Sequence, residues 1–221
     1  MTAPAAHLAA RALFLDRDGT LVHPRHYPAR PRDLVLYDGI APGLRLLQRA
    51  GFRLVVVTNQ AGIARGYFGE AELAAMHAHL TAALARQGVR LDAIYHCPHH
   101  PDGAIPALAI RCECRKPAPG LLLRAARELG IDLARSWMAG DILDDIEAGN
   151  HAGCRSVLVD LGTEGIPSAA PRTPAYVARD TVHALRIVAA VEGLGPETGL
   201  SYLPPSWRDG RVDHANRCVE P

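Results

Sequence analysis

Residues 11–20 read RALFLDRDGT, an apolar run that delivers Asp16 and Asp18 into a Gly-Thr turn where a strand should end. Side chains two residues apart share one face of an extended chain and lie about 6.6 Å apart, a span that can bracket a phosphorus atom. This spacing predicts that Asp16 attacks phosphorus while Asp18 protonates the departing oxygen, and that Gly19 lets the chain turn beneath a ligand. Read alone, the stretch could also be a solvated Asp-Gly turn.

Apolar, β-rich runs like this one recur along the chain, with helical periodicity between them. The alternation predicts an α/β fold in which a doubly wound parallel sheet binds its ligand beyond the carboxyl ends of the strands. The five runs cover residues 12–15, 54–57, 91–95, 137–139 and 156–159. Two helical stripes, at 73–84 and 121–129, are expected to pack on this sheet.

Length and composition predict one main domain with a short appendage, since 221 residues with 48% hydrophobic side chains can bury one sizeable core. We expect residues 1–192 to form this domain, without a large cap domain. Residues 21–37, rich in Pro and Arg, interrupt the first crossover and are expected to form a flap over the sheet edge. Residues 193–221, where Pro, Gly and charge break any periodicity, are expected to form a tail or linker.

The charges are balanced, with 24 basic and 23 acidic residues and a net charge of +1. Because they form no block of like charge, neither nucleic acid nor a membrane surface is the expected partner; we expect a monomer that acts on a small ligand. The opening MTAPAAHLAARALFLD lacks the pattern of a signal peptide or a membrane span, so a cytoplasmic protein with reduced cysteines is expected.

A polar loop follows the second apolar run. Thr58 ends RLVVVT and precedes Asn59, Gln60 and Ala61. A hydroxyl and backbone N–H groups can hold phosphate oxygens at such a strand end, although simple loop capping explains the same residues.

Two cations stand just before a helix that is expected to begin near Pro119. A helix N-terminus with nearby cations suits an anion. Lys116 could neutralise a transferring phosphoryl group, and Arg115 could grip a second phosphate or hydroxyls; a solvated basic turn is the alternative.

Three carboxylates follow Gly140, which ends the run SWMAGD. Asp141 is predicted to join Asp16 around a hard cation, and oxygen ligands without imidazole or thiolate favour Mg²⁺. Asp144 and Asp145 could instead cap the following helix.

In their order and spacing, DRDGT, Thr58, Lys116 and GDILDD resemble the haloacid dehalogenase superfamily of phosphohydrolases. The resemblance covers about residues 13–188. It implies a Rossmann-like α/β core and a mechanism that passes through an aspartyl phosphate.

A cysteine- and histidine-rich loop, residues 96–114, precedes the lysine motif. Cys97, His99, Cys112 and Cys114 form the pattern C-x-H-x12-C-x-C. Three thiolates and one imidazole complete a closed tetrahedron, which predicts structural Zn²⁺ that orders the loop beside Arg115. His96 and His100 are adjacent alternatives to His99, and cysteine pairing is the other reading of the thiols.

This loop, with NQAGIARG and CRKPAPG, resembles the histidinol-phosphate phosphatase branch of the superfamily, and within it the D-glycero-D-manno-heptose-1,7-bisphosphate 7-phosphatases. The resemblance implies removal of the 7-phosphate in carbohydrate metabolism, on a heptose biosynthesis route. Asp16 would be the nucleophile, Asp18 the acid and base, and Thr58 and Lys116 the phosphoryl stabilisers. Mg²⁺ would be held by Asp16, the backbone carbonyl of Asp18 and Asp141. The implied substrate contacts are Arg17, Pro24, Arg25, His26, Tyr27, Asn59, Gln60, Ala61 and Arg115.

Two features of the sequence depart from that family. Ile142 stands where its members usually have a basic residue, and the flap reads HPRHYP where they have acidic residues and glycine. Histidinol phosphate and small sugar phosphates are therefore alternative substrates. A zinc-stabilised binding module without activity is the alternative from a different class, and phosphate release with and without Mg²⁺ discriminates between the two.

Overall fold

Six parallel strands form a single sheet in the order β3-β2-β1-β4-β5-β6 in a computed structural model, which describes residues 9–167 and 169–196. The strands are β1 (Arg11–Leu15), β2 (Phe52–Asn59), β3 (Ala93–Cys97), β4 (Trp137–Gly140), β5 (Arg155–Val159) and β6 (Tyr176–Ala178). The predicted doubly wound α/β architecture is confirmed. The order reverses direction beside β1, and ligands bind parallel sheets at such a switch point.

Helices cover both faces of this sheet: α1 (Ile40–Arg49), α2 (Ala61–Ala64), α3 (Glu70–Arg86), α4 (Gly120–Leu129), α5 (Leu143–Ala152) and α6 (Thr181–Val191). Leu13 and Leu15 of β1 join the core cluster beneath α1, α3 and α6, whereas Ala12 and Phe14 join the cluster beneath α4. A strand buried on both faces needs apolar side chains at every position, which explains the unbroken run in the sequence.

The predicted helical stripes are buried as expected. On α3, Leu73, Met76, Leu80 and Leu84 all lie in the core, and α4 begins at Gly120, directly after Pro119. The structure adds β6, which was not predicted, and it starts β2 two residues earlier and β3 two residues later than expected.

The segment between β1 and α1 forms a short flap. Val22 makes an antiparallel bridge to Leu36, and a 3-10 turn spans Pro31–Asp33. This small hairpin leans over the carboxyl end of β1.

The predicted domain boundary at residue 192 lies directly after α6, which ends at Val191. Leu194 still donates a backbone hydrogen bond to Ala189, so the chain turns back on the helix before it leaves the described part. The expected tail from 193 onward lies mostly outside the described residues, and that division stays a prediction. Within the described ranges, no helix is long and apolar enough to cross a membrane.

Candidate active site

The tips of three adjacent strands deliver the predicted catalytic side chains to one pocket. Asp16 follows β1, Thr58 lies near the end of β2 and Asp141 follows β4. The strand ends are level because Leu15 pairs with both Val56 and Ala139. The backbone N–H of Asp16 then continues the ladder to the carbonyl of Ala139 at 2.9 Å.

Lys116 occupies the centre of this pocket and is 2% exposed. Its Nζ lies 2.5 Å from Asp16 Oδ1 and 2.6 Å from Asp145 Oδ1, and it donates a 2.8 Å hydrogen bond to the carbonyl of Val57. Burial alone would lower the pKa of Lys116, but the carboxylates of Asp145 and Asp16 outweigh it and raise that pKa above its usual value. The ammonium is therefore charged. It also belongs to the only lysine in the chain.

Asn59 fixes the backbone of Lys116. Its Nδ2 donates to the lysine carbonyl at 3.1 Å, and its Oδ1 accepts from the lysine N–H at 3.0 Å. Asn59 also lines the pocket, as predicted, but both polar atoms of its side chain serve to position the lysine.

Ligand oxygens from Asp16, Asp141 and Asp145 all lie within 4.8 Å of one another. Burial raises the pKa of Asp16 to about 7, with Lys116 opposing the rise. Burial and the negative charges of Asp16 and Asp145 raise the pKa of Asp141 to about 9. Crowded carboxylates that resist ionisation indicate a place for a further positive charge, and all-oxygen donors fit a hard cation such as Mg²⁺.

Not all the carboxylates after Gly140 serve this centre. Asp145 is fully buried against Lys116, whereas Asp144 pairs with Arg172 at 3.0 Å on a side away from the pocket. The backbone packs tightly here, since a Cβ at Gly140 would overlap the side chain of Asp145.

Gly19 is a second position where a Cβ would not fit, and its backbone conformation also favours glycine. Its φ is +89°, and a Cβ at this position would overlap the carboxylate of Asp141. The glycine predicted for a tight turn thus also lets the tip of β1 approach Asp141. Thr20, which was not predicted, donates to Asp141 Oδ1 at 3.3 Å.

Two cavities meet at Asp18. The inner cavity, about 160 Å³, is lined by Asp16, Thr58, Lys116 and Asp141 and also by Ile142. The outer cavity, about 310 Å³, opens beneath the flap and also contacts Asp18. Its lining includes these predicted substrate contacts: Arg25, His26, Tyr27, Asn59, Gln60, Ala61 and Arg115.

Two predicted substrate contacts do not line either cavity. Pro24 is exposed on the flap, and Pro28 contributes to the outer wall instead. Arg17 is fully buried, and its guanidinium binds Asp18 and Gln60. Arg17 therefore lies behind Asp18 and does not line either cavity.

The flap is held by aromatic contacts. Tyr27, at φ +44°, packs edge-on against Tyr67 with ring centroids 4.7 Å apart, and the guanidinium of Arg65 lies 5.7 Å from the Tyr27 ring. A non-glycine residue in this region of backbone space is strained and persists only where its surroundings hold it. These contacts fix the wall that carries Arg25.

The four predicted zinc ligands form one cluster whose ligand atoms lie within 4.8 Å of one another. The sulfur atoms are 3.1 to 3.5 Å apart, and His99 Nδ1 lies 3.3 Å from the sulfur of Cys114. Disulfide sulfurs are about 2.0 Å apart, so these are free thiols. His96 instead faces Glu70, and His100 accepts from the N–H of Asp102. One nitrogen and three sulfurs fit tetrahedral Zn²⁺.

Comparison with known proteins shows that this chain is similar to phosphatases. A family model described as HAD-hydrolase-like matches residues 113–184. A relative from Yersinia pestis named D-glycero-beta-D-manno-heptose-1,7-bisphosphate 7-phosphatase is 47% identical over 152 residues, 68% of this chain and 81% of the relative. The protein of the same name from Escherichia coli K12 is 45% identical over 159 residues, 72% and 83% of the two chains.

Solved structures agree with these relatives. The D,D-heptose 1,7-bisphosphate phosphatase from B. bronchiseptica, complexed with magnesium and phosphate, is 33% identical with a TM-score of 0.68. The match covers 82% of this chain and 99% of that one. The corresponding enzyme from Burkholderia thailandensis is 30% identical with a TM-score of 0.55, and covers 79% and 96%.

Proposed function

The chain belongs to the haloacid dehalogenase superfamily of phosphatases, in the branch that contains the heptose bisphosphatases, and from this we propose that it removes the 7-phosphate of D-glycero-D-manno-heptose 1,7-bisphosphate with Mg²⁺. The observation that carries the proposal is the convergence of Asp16, Asp141 and Lys116 on one cavity. These groups supply a nucleophile, a cation ligand and a fixed positive charge. Charge neutralisation and positioning are the main needs of phosphoryl transfer.

Asp16 attacks phosphorus while Asp18 gives its proton to the departing sugar oxygen. Asp18 then removes a proton from the water that hydrolyses the aspartyl phosphate, which restores both side chains. The ammonium of Lys116 opposes the rise that burial causes in the pKa of Asp16, and it faces the charge of the phosphoryl group. Mg²⁺ held by Asp16, the backbone carbonyl of Asp18 and Asp141 would neutralise further charge on that group.

The outer cavity supports a doubly phosphorylated substrate. Arg25 and Arg115 both line it, and arginine binds phosphate in bidentate fashion. The distal part of histidinol phosphate carries an ammonium group, which two guanidinium groups would repel. The same wall thus favours a second phosphate over an amino alcohol.

The cluster of Cys97, His99, Cys112 and Cys114 is proposed to hold one structural Zn²⁺. Cys97 ends β3 and Cys114 immediately precedes Arg115, so the ion would tie the sheet to the residues that meet the substrate. Free thiols in a metal-type cluster are typical of reducing compartments. This supports a cytoplasmic enzyme, which we propose acts as a monomer on a small sugar phosphate.

Phosphate release from the heptose bisphosphate, with and without Mg²⁺, tests the proposal. Asp16→Asn and Asp18→Asn should abolish release, whereas the matched control Asp144→Asn should retain it because that carboxylate pairs with Arg172 outside the pocket. Full activity in either active-site variant, or phosphate release that ignores Mg²⁺, would refute the roles.

The substrate is tested by offering both heptose anomers, histidinol phosphate and simple sugar monophosphates to the same preparation. We expect the highest kcat/KM for a heptose bisphosphate. A large preference for histidinol phosphate would overturn the assignment of substrate while leaving the phosphatase chemistry intact, and no hydrolysis of any member would favour a binding module.

A further inference from the structure

A buried hydroxyl group lies beside the carboxylate of Asp141. Thr20 is fully buried, and its Oγ1 donates a hydrogen bond to Asp141 Oδ1 at 3.3 Å. Thr20 lines neither the inner nor the outer cavity, so it does not face the substrate. Buried polar groups need partners, and for this hydroxyl the carboxylate of Asp141 is that partner.

The carboxylate of Asp141 is confined on a second side as well. A Cβ at Gly19 would overlap it, so the backbone of Gly19 lies directly against it. With one oxygen bonded to Thr20 and one face covered, this side chain has little room to turn. Its ligand oxygen is thereby kept within 4.8 Å of those of Asp16 and Asp145.

The turn that carries Thr20 is itself fixed. The backbone N–H groups of Leu21 and Val22 both donate to the carbonyl of Arg17 at 3.0 Å, and the N–H of Gly19 donates to the carbonyl of Val22 at 2.8 Å. Thr20 lies between these hydrogen-bonded residues, so its backbone is held on both sides.

Thr181 fastens the same turn to α6. Its Oγ1 donates to the carbonyl of Thr20 at 2.7 Å, and both residues are buried. Thr181 is the first residue of α6, whose start is capped by Asp180, which accepts from the N–H of His183 at 2.7 Å. Two threonine hydroxyls therefore connect the start of α6, the turn after β1 and the carboxylate of Asp141.

We propose that Thr20 is a positioning residue that holds the carboxylate of Asp141 in place for the cation, and that Thr181 supports it from α6. The inference rests on the proposed function, in which Asp16 and Asp141 hold Mg²⁺. A ligand that is already oriented loses little conformational freedom when the ion binds. Residues that orient metal ligands in this way are usually worth about 10–100-fold in metal affinity.

The expected effect lies at the low end of that range, because 3.3 Å is long for a hydrogen bond from a hydroxyl group. Thr20→Val keeps the branched shape but removes the donor, and it should raise the dissociation constant of a hard cation by about 10-fold. Thr20→Ser keeps the hydroxyl and should stay close to the wild-type value. Thr181→Val leaves Thr20 itself intact and should weaken binding by less than Thr20→Val.

Direct titration with Mn²⁺ measures this affinity without substrate. Mn²⁺ prefers the same oxygen ligands as Mg²⁺, and electron paramagnetic resonance reports the free ion during titration of the zinc-loaded protein. Thr81→Val is the matched control, because Thr81 is exposed on α3 and its hydroxyl donates to the carbonyl of His77. This control should leave the dissociation constant unchanged.

Kinetics separate positioning from general damage to the fold. In Thr20→Val the Mg²⁺ concentration for half-maximal phosphate release should rise by the same factor as the Mn²⁺ dissociation constant. At saturating Mg²⁺ the KM for the sugar phosphate should match that of the wild type, because Thr20 lines neither cavity. Thr20→Ala removes the same hydroxyl and decides the question if thermal unfolding shows that Thr20→Val does not fold.

Three results would overturn the inference: wild-type Mn²⁺ affinity in Thr20→Val, equal losses of affinity in Thr20→Val and Thr20→Ser, or a wild-type protein that binds no Mn²⁺. The proposed function fails in a different way. If Mn²⁺ affinity falls as expected but the wild-type protein hydrolyses no sugar phosphate, the positioning role of Thr20 is supported and the proposed function is refuted.

Discussion

Replacing Lys116 by methionine should destabilise the folded protein strongly at alkaline pH and weakly at acid pH. The ammonium lies 2.5 Å from Asp16 and 2.6 Å from Asp145, and all three side chains are buried. Removing one partner of a buried ion pair costs about 3–5 kcal/mol, since the other charge is left unpaired. Methionine keeps the unbranched apolar stem, so the loss of charge is the main change.

Protonation limits this cost. A stranded carboxyl can become neutral at a free-energy cost of about 1.4 kcal/mol for each pH unit above its unfolded pKa, which for Asp16 is 3.8. Protonating one carboxyl near pH 8 would cost about 6 kcal/mol, which is more than the cost of leaving its charge unpaired. The carboxyl therefore stays ionised at this pH, and the full 3–5 kcal/mol of stability is lost. Near pH 5 protonation costs only about 2 kcal/mol, so the loss of stability falls to about that value.

Urea unfolding of both proteins in Mg²⁺-free buffer, followed by circular dichroism, measures the difference. The double variant Lys116→Met/Asp145→Asn removes one stranded carboxylate and should recover part of the loss near pH 8. A loss below about 1 kcal/mol near pH 8, or one that is the same at both pH values, would refute the view that the lysine mainly neutralises buried carboxylates.

Gly19→Ala should lower the free energy of unfolding by about 2–5 kcal/mol, because alanine is strained in the left-handed conformation and its Cβ overlaps Asp141. It should also raise the Mg²⁺ concentration needed for half-maximal activity, and unchanged values of both quantities would contradict the close approach of Gly19 to Asp141. In the Mg²⁺-free wild type, the raised pKa values of Asp16 and Asp141, about 7 and about 9, mean that the native state binds more protons than the unfolded state above about pH 4. Its urea midpoint should therefore fall as pH rises to about 9, and Mg²⁺ should flatten this slope. Cys112→Ser should show a lower zinc content in metal analysis and a lower Tm, whereas Cys154→Ser, outside the cluster, should keep the metal. Equal zinc contents in the two variants would exclude the assigned ligands.

The strands that position the site were predictable because they are buried on both faces. Apart from Arg11 and Arg53 near their starts, their side chains are apolar until the runs end, where Asp16, Thr58 and Asp141 stand out. The short edge strand β6 has only Tyr176–Ala178, too few residues for a pattern. The predicted β3 started too early because Leu91, an apolar loop residue, resembles a strand residue. The predicted β2 started too late because Arg53 interrupts the apolar run after Phe52.

Side-chain pairing inside the site could not be predicted from periodicity. The contact of Arg17 with Asp18 joins sequence neighbours, which point to opposite faces in a strand, but β1 ends at Leu15 and the backbone turns. The ion pair between Lys116 and Asp145 joins a loop to α5, and no local pattern records it. One signal was available: the chain has 24 basic residues, and the single lysine among them is Lys116.

That composition has a practical consequence. The ε-amine of Lys116 is the only one in the chain, and it is enclosed between two carboxylates with its side chain 1% exposed. No lysine is therefore exposed on the described surface for an acylating reagent to modify in the intact enzyme. The rate at which residue 116 becomes labelled would therefore report how often the pocket opens transiently, and mass spectrometry can measure this rate without any introduced probe.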